Sequence, residues 1–294
     1  MYPPRFDYLA PASVEEVIEA LGEGGGDAKV MAGGQSLIPV LKLRIASVGT
    51  IVDLNRVEGL DEIGEEDGRL RIGALVRHVQ ADRSPLLTKR YALLGATARL
   101  VADPLVRNRG TVCGSLAHAD PQGDWGSALL AARASAVVRG PEGERTVPVE
   151  ELALGPFMTT LAPDEVITEV RVPDPGPRAS GTYLKLERKV GDFATAAVGV
   201  QVSLDNGHVG EVGIGLTGVG ATNLRAKAAE DSLRGAEPTD DAIRLAAELA
   251  ADAAEPQADH RGSVDYKRNV VRVFCERGLR TAISAAQAGE EGRS

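Results

Sequence analysis

The spacing of apolar positions changes several times along the chain, and each change marks an element of mixed α and β structure. Ser13, Val14, Glu15 and Glu16 form a capping box, and Val14, Val17, Ile18 and Leu21 then recur at helical spacing as far as Gly22 and the glycine run to Gly26. Residues 28–32 predict a short apolar strand running straight into Gly33-Gly34-Gln35-Ser36. Leu37, Ile38, Val40, Leu41 and Leu43, with Pro39 near the start, then predict one or two helical turns. Residues 50–54 and 70–74 read as strands and 76–82 as a short helix. Residues 86–102 read as one helix that stops before Asp103-Pro104, because a residue preceding proline is pushed out of the α region.

A second glycine-bearing turn follows at Gly110 to Ser115. Residues 125–133 are helical in pattern, 136–139 and 145–149 predict a hairpin across Pro141-Glu142-Gly143, and 166–172 close this part as a strand. Pro173, Pro175, Gly176 and Pro177 mark a domain boundary. Beyond it residues 182–189 alternate polar and apolar, and 196–204 join 209–216 through Asp205-Asn206-Gly207, so these strands are antiparallel. Residues 223–234, 239–253 and 263–286 predict three helices with no strand after them, and residues 290–294 a fraying tail.

Composition narrows the function. The 294 residues include 43% hydrophobic and 26% charged, the balance of a globular chain with a real core. A net charge of -9 and a pI near 5.1 repel phosphate backbones, so no nucleic-acid partner is expected. Acidic residues at Asp7, Glu15, Glu16 and Glu19 argue against a signal peptide. No run approaches about 18 apolar residues, so no membrane span is expected. Cys113 and Cys275 can form one bridge at most and cannot supply the four thiolates of an iron–sulfur cluster; their scarcity fits a reducing cytoplasm. The histidines, His78, His118, His208 and His260, are not paired at metal-ligand spacing, and no metal is expected.

The 34 glycines carry the chemistry. In Ala32-Gly33-Gly34-Gln35-Ser36-Leu37, two glycines between strand and helix let the backbone turn with positive φ and bring bare N–H groups close to a diphosphate. The alternative is a simple turn with Ser36 as N-cap. The second loop, Thr111-Val112-Cys113-Gly114-Ser115, continues through His118 to Asp124, which could accept a hydrogen bond from a ribose hydroxyl. Neither loop matches GxxxxGK[ST], and a dinucleotide lying across both is the economical reading. Gly213-Ile214-Gly215-Leu216-Thr217-Gly218 imitates a Rossmann fingerprint, but its strand belongs to a hairpin and no later strand completes a βαβ unit. Cys113 has no CxxC partner and reads as packing or cofactor contact. A hydrolase triad of Ser115, His118 and Asp124 lacks a GxSxG elbow.

With these loops in view, the chain resembles the FAD-binding medium subunits of the molybdenum hydroxylases, the family of carbon monoxide dehydrogenase and xanthine dehydrogenase. Ala32 to Leu37 looks like the family's AGGxSL loop and Thr111 to Ser115 like its TxGG loop. Lys185-Leu186-Glu187-Arg188-Lys189 and Gly191-Asp192-Phe193-Ala194-Thr195 look like the opening of its C-terminal domain. The resemblance implies an α+β protein. An FAD-binding module of the vanillyl-alcohol-oxidase type would span residues 1–175, with subdomains of about 1–56 and 57–175. A C-terminal domain of three-stranded antiparallel sheet and helical bundle would span 179–290.

It further implies that Ala32, Gly33, Gly34, Gln35 and Ser36 hold the FAD pyrophosphate with Leu37 beside it, and that Thr111, Val112, Cys113, Gly114 and Ser115 form the second wall. Val101 and Ala102 would touch the adenine or the flavin, His118 and Asp124 the ribitol or ribose hydroxyls, Leu161 would pack on the cofactor, and Lys185 would reach the flavin end. Cys113 and Ser115 depart from the family's usual glycine and asparagine. Gln35 fills the obvious place for a covalent histidine link, so the FAD is expected to be non-covalent. Partners would be a large subunit with the molybdenum cofactor and a small subunit with two [2Fe–2S] clusters, in a dimer of heterotrimers. The chain would relay electrons from those clusters to an external acceptor. A stand-alone flavin-dependent oxidoreductase and a non-catalytic scaffold are the rival readings.

Overall fold

The computed structural model describes residues 2–291. Its first layer is a small parallel sheet built by β1 (Asp7–Leu9), α1 (Val14–Glu23), β2 (Ala28–Met31), α2 (Leu37–Lys42) and β3 (Thr50–Asp53), with β3 in the middle. The capping box forms in a shifted version. Ser13 accepts from the Glu16 amide, while Glu16 reaches back to the Ala12 amide rather than to that of Ser13. Val14, Val17 and Leu21 of α1 are buried in the main core.

The second layer is a five-stranded antiparallel sheet. Its outer pair is β4 (Ile63–Glu66) and β5 (Arg69–Gly73). Between β5 and the next strand lies a run of short helices: α3 (His78–Arg83), α4 (Pro85–Lys89), α5 (Ala92–Leu100), α6 (Pro104–Arg107), α7 (Val112–His118) and α8 (Asp124–Ala131). The hairpin β6 (Ser135–Gly140) and β7 (Gly143–Pro148) follows. Then come α9 (Val149–Leu152), the small hairpin β8 (Ala153–Gly155) and β9 (Met158–Thr159), and the central strand β10 (Val166–Pro173). Strand order is β4-β5-β10-β6-β7. The helix expected over residues 86–102 is two, broken at Arg90 and Tyr91, and the one expected to start at residue 76 starts at His78 because Val76 is held in a backbone bond to Val112.

The C-terminal layer is the antiparallel sheet β11 (Ala179–Leu186), β12 (Ala196–Asp205), β13 (His208–Thr217) and β14 (Leu224–Arg225), followed by α10 (Lys227–Leu233), α11 (Asp240–Asp252) and α12 (Val264–Glu291). Its three long strands answer to the three expected, but the first runs over Ala179–Leu186 rather than 182–189. The two-residue β14 is an addition that takes the first residues of what the pattern presents as helix 223–234. Most of the tail 290–294 lies outside the described residues. One face of this sheet packs on α12 and the other on α5 and α8, so β12 is buried along most of its length. Gly213 and Gly215 explain the Rossmann look-alike. A Cβ on them would lie 1.9 Å from the carbonyl oxygens of Ala131 and Ser127, so these glycines let α8 lie directly on β13.

Candidate functional site

The first loop leaves β2 at Met31 and turns at Gly34, whose φ of +71° suits glycine. Gly33 is glycine for a different reason. A Cβ there would sit 2.1 Å from the Arg109 carbonyl oxygen and 2.8 Å from Gly110 Cα, so the two glycine loops touch backbone to backbone. Ser36 is in the αR region and its hydroxyl makes no cap bond, which removes the N-cap reading. In the second loop Thr111 is the cap: its Oγ1 accepts from the Gly114 amide at 3.1 Å at the start of α7. This loop is stitched to residues 76–78, with the His78 amide donating to Gly110 O at 3.0 Å and the Val112 amide to Val76 O at 3.2 Å.

Both loops border one cleft of about 550 Å³. Every sequence-predicted site residue lines it except Val112: Ala32, Gly33, Gly34, Gln35, Ser36, Leu37, Val101, Ala102, Thr111, Cys113, Gly114, Ser115, His118, Asp124, Leu161 and Lys185. Val112, the first residue of α7, is wholly buried in the core instead. The corner at Val101 and Ala102 is held by Arg107, which donates to both carbonyls, and Ala102 takes a φ of +45°. The cleft also takes Lys29 and Met31 of β2, His78, Gln122, Ile167 and Phe193, none of which is among the expected site residues, although Gln122 and Phe193 fall within quoted motifs. For Lys29 and Met31 a signal existed: ligands gather at the carboxyl ends of parallel strands, and β2 ends there. The half-exposed Phe193 has no such periodic signature.

The cleft's charged groups are already organised by the protein. Asp124, at the start of α8, accepts from Lys185 Nζ at 2.8 Å and from the Tyr183 hydroxyl at 3.1 Å, and Lys185 also donates to Leu100 O at 3.0 Å. Burial pushes the Asp124 carboxyl above its ordinary range, against the opposing pull of Lys185 and Tyr183. His78 is buried, and its Nδ1 accepts from the Trp125 indole N–H at 3.0 Å. Burial, aided by the Arg107 and Arg77 charges, lowers its pKa to about 4, so it is neutral at pH 7 with its proton on Nε2. His118 is lowered by partial burial and lies with its ring 5.1 Å from that of Phe157. Cys113 and Cys275 are free and buried. Burial raises the Cys113 thiol, which donates weakly to Ile72 O. Such a thiol packs; it does not attack. His118 and Ser115 share the cleft with Asp124, but its carboxylate is paired with Lys185 rather than with an imidazole.

Comparison with known proteins agrees with this geometry. Residues 4–175 match the FAD binding domain in molybdopterin dehydrogenase, and residues 181–282 the CO dehydrogenase flavoprotein C-terminal domain. The chain is 41% identical to the carbon monoxide dehydrogenase medium chain of Hydrogenophaga pseudoflava, over 96% of this chain and 98% of that one. It is 36% identical to the nicotine 6-hydroxylase medium subunit of Paenarthrobacter nicotinovorans, over 95% and 99%. Among solved structures, the carbon monoxide dehydrogenase from Hydrogenophaga pseudoflava superposes with a TM-score of 0.94 at 43% identity, covering 97% of this chain and 99% of that one. A xanthine dehydrogenase FAD-binding subunit of Escherichia coli is more distant, at 24% identity over 95% of this chain and 96% of that one. In both domains and along nearly its whole length, the chain therefore belongs to the family of FAD-binding medium subunits of the molybdenum hydroxylases, as a subunit of an oxidoreductase.

Proposed function

We propose that the chain is the electron-transfer subunit of a heteromeric molybdenum hydroxylase, receiving electrons from [2Fe–2S] clusters of a small partner subunit and passing them to an external acceptor. A large partner subunit would carry the molybdenum cofactor and oxidise the substrate, in a dimer of heterotrimers. One observation carries the reading: two glycine loops from different subdomains meet in backbone contact on the wall of a single large cleft. The residues present fit FAD: Gly33, Gly34 and Gly114 bring side-chain-free backbone to the cleft, Ser36, Thr111 and Ser115 bring hydroxyls, and Leu37, Val101 and Leu161 offer apolar surface for rings.

FAD, when bound, supplies a centre that collects electrons singly or in pairs. The protein's share is to hold and insulate. The loop Ala32–Ser36 would bind the diphosphate with Leu37 beside it, and Thr111, Gly114 and Ser115 would form the opposite wall. Val101, Ala102 and Leu161 would pack on the rings, and His118 would meet ribitol or ribose hydroxyls. Asp124 and Lys185, locked together at 2.8 Å, would act as one fixed polar pair at the flavin end. Cys113 adds a small buried side chain to the wall. The cofactor would be bound without a covalent link, since Gln35 occupies the loop and the Nδ1 of His78 is engaged by Trp125. Two cysteines, both buried, leave the cluster ligands to another polypeptide.

Rapid-mixing absorption spectroscopy tests this. Mixing the FAD-loaded chain with a reduced iron–sulfur partner subunit is expected to bleach the flavin band, whereas the purified chain alone stays oxidised when offered the substrate of the assembled enzyme. Steady turnover of that substrate by the isolated chain would overturn the relay in favour of a stand-alone flavin oxidoreductase. A chain that takes up no FAD would overturn both.

A further inference from the structure

The first glycine loop, 32–36, meets the second where Gly33 packs on Arg109 and Gly110, a contact that limits how near the loops come but does not tie them together. Its outer anchor is Asn55, in the turn after β3, whose Nδ2 donates to Ala32 O at 2.9 Å. Asn55 is aimed by Asp53, which accepts from the Asn55 amide at 2.9 Å and from its side chain, and Asp53 is itself oriented by the Tyr8 hydroxyl at 2.6 Å. The Oδ1 of Asn55 accepts from Nη2 of Arg77, and Nη1 of the same guanidinium donates to the carbonyl of Arg109, at the start of the second loop. That carbonyl is the atom against which Gly33 packs. The Arg77 backbone is fastened to the second loop as well, through a β-bridge to Thr111.

We infer that Asn55 and Arg77 form a clamp, running from Ala32 O through both side chains to Arg109 O, that sets the spacing of the two glycine loops and hence the width of the cleft for a diphosphate. This inference rests on the FAD reading for its consequence, though not for the clamp itself. Neither side chain lines the cleft, so both are positioning residues. The chemistry suits the residue types. A guanidinium fork can hold an amide oxygen and a carbonyl at once in fixed directions, and the asparagine amide accepts at one end while donating at the other. Asn55 is exposed and Arg77 half-exposed, so their loss leaves the apolar core intact.

The test uses the full-length chain and the variants Asn55→Ala, Arg77→Leu and both together, with two independent readouts. Amide hydrogen exchange in peptides covering 32–37 and 109–115 reports the clamp whether or not a ligand binds. Titration of the apoprotein with FAD reports the consequence. Arg77→Leu is expected to speed exchange in both loops and to weaken FAD binding on the order of ten-fold, with the apoprotein melting temperature nearly unchanged. Because the two residues act in series, the double variant should lose no more FAD affinity than the worse single one. Arg77→Lys, which keeps the charge and removes the fork, should not restore affinity. Unaltered exchange in either loop, additive losses in the double variant, or full rescue by lysine would overturn the clamp. Wild-type protein that ignores FAD yet shows quickened exchange in the variants would overturn the flavin reading and leave the clamp standing.

Discussion

At the residue scale, His78 stores a pH dependence. Its imidazole titrates near 6.5 when free and at about 4 in the folded protein, the shift coming from burial and then from the nearby arginine charges. The unfolded chain therefore binds the extra proton first. The stability that comes from keeping His78 neutral is fully present above pH 6.5 and is lost as pH falls towards 4, up to roughly 3 kcal/mol. Protonation would also cancel the acceptor that Trp125 uses. In urea titrations across that window, His78→Asn is expected to flatten the slope of unfolding free energy against pH; an unchanged slope would assign the titration elsewhere. The same scale shows where sequence reading stops. Gly33 is recognisable as a site glycine, but the expected reason, a left-handed turn, holds only for Gly34. Gly33 is required by Arg109, 76 positions away, and no local pattern carries that distance. Val112 sits inside the motif yet faces the core, since a loop that becomes a helix start sends its side chains in several directions.

At the element scale, close approach decides more than propensity does. β13 lies against α8 because Gly213 and Gly215 have no side chain, and Gly215→Val would drive a Cβ to within 1.9 Å of the Ser127 carbonyl oxygen. A displaced α8 would also disturb the buried cluster of Ser127, Tyr183 and Thr217 hydroxyls. The variant should lose about 3 kcal/mol or more, and thermal unfolding would read this as a large drop in midpoint. A midpoint within a degree or two of wild type would mean that α8 yields without cost. The same kind of contact broke the expected helix over 86–102. α4 folds back so that Thr88 faces Gly95, where a Cβ would stand 2.9 Å from the Thr88 Cα, while Tyr91 leaves the axis to bury its ring and donate to Glu65 at 3.0 Å. Gly95 is visible in the sequence, but its meaning depends on a turn that has no proline or glycine of its own. The DNG hairpin and the course of α1, whose signals are local, were legible, although the reach of Glu16 to Ala12 was not.

At the scale of the whole molecule, the C-terminal layer beyond the proline-rich segment at 173–177 has an apolar cluster of its own, running from Ala196 to Ala286, yet it also shares the main core. Tyr183, Ala194 and Ala197 from the C-terminal layer belong to the same apolar cluster as Trp125, Leu93 and Leu94. Lys185 crosses the junction to bond both Asp124 and the end of α5. The cleft is thus closed by a residue from one layer acting on two helices of the other, and the two should unfold together. Lys185→Met tests the coupling. It leaves a carboxylate that is only 6% exposed without its cation, a change that costs about 3–5 kcal/mol for a buried pair broken on one side. Fluorescence of Trp125, the chain's one tryptophan, follows the FAD-binding layers, whereas far-ultraviolet circular dichroism is weighted towards the long C-terminal α12. Both signals are expected to fall in one transition in the wild-type chain and in one earlier transition in the variant. If the helical signal were to melt first while Trp125 kept its native emission, the layers would be independent, and the Asp124–Lys185 pair would be a contact across a surface rather than part of a shared core.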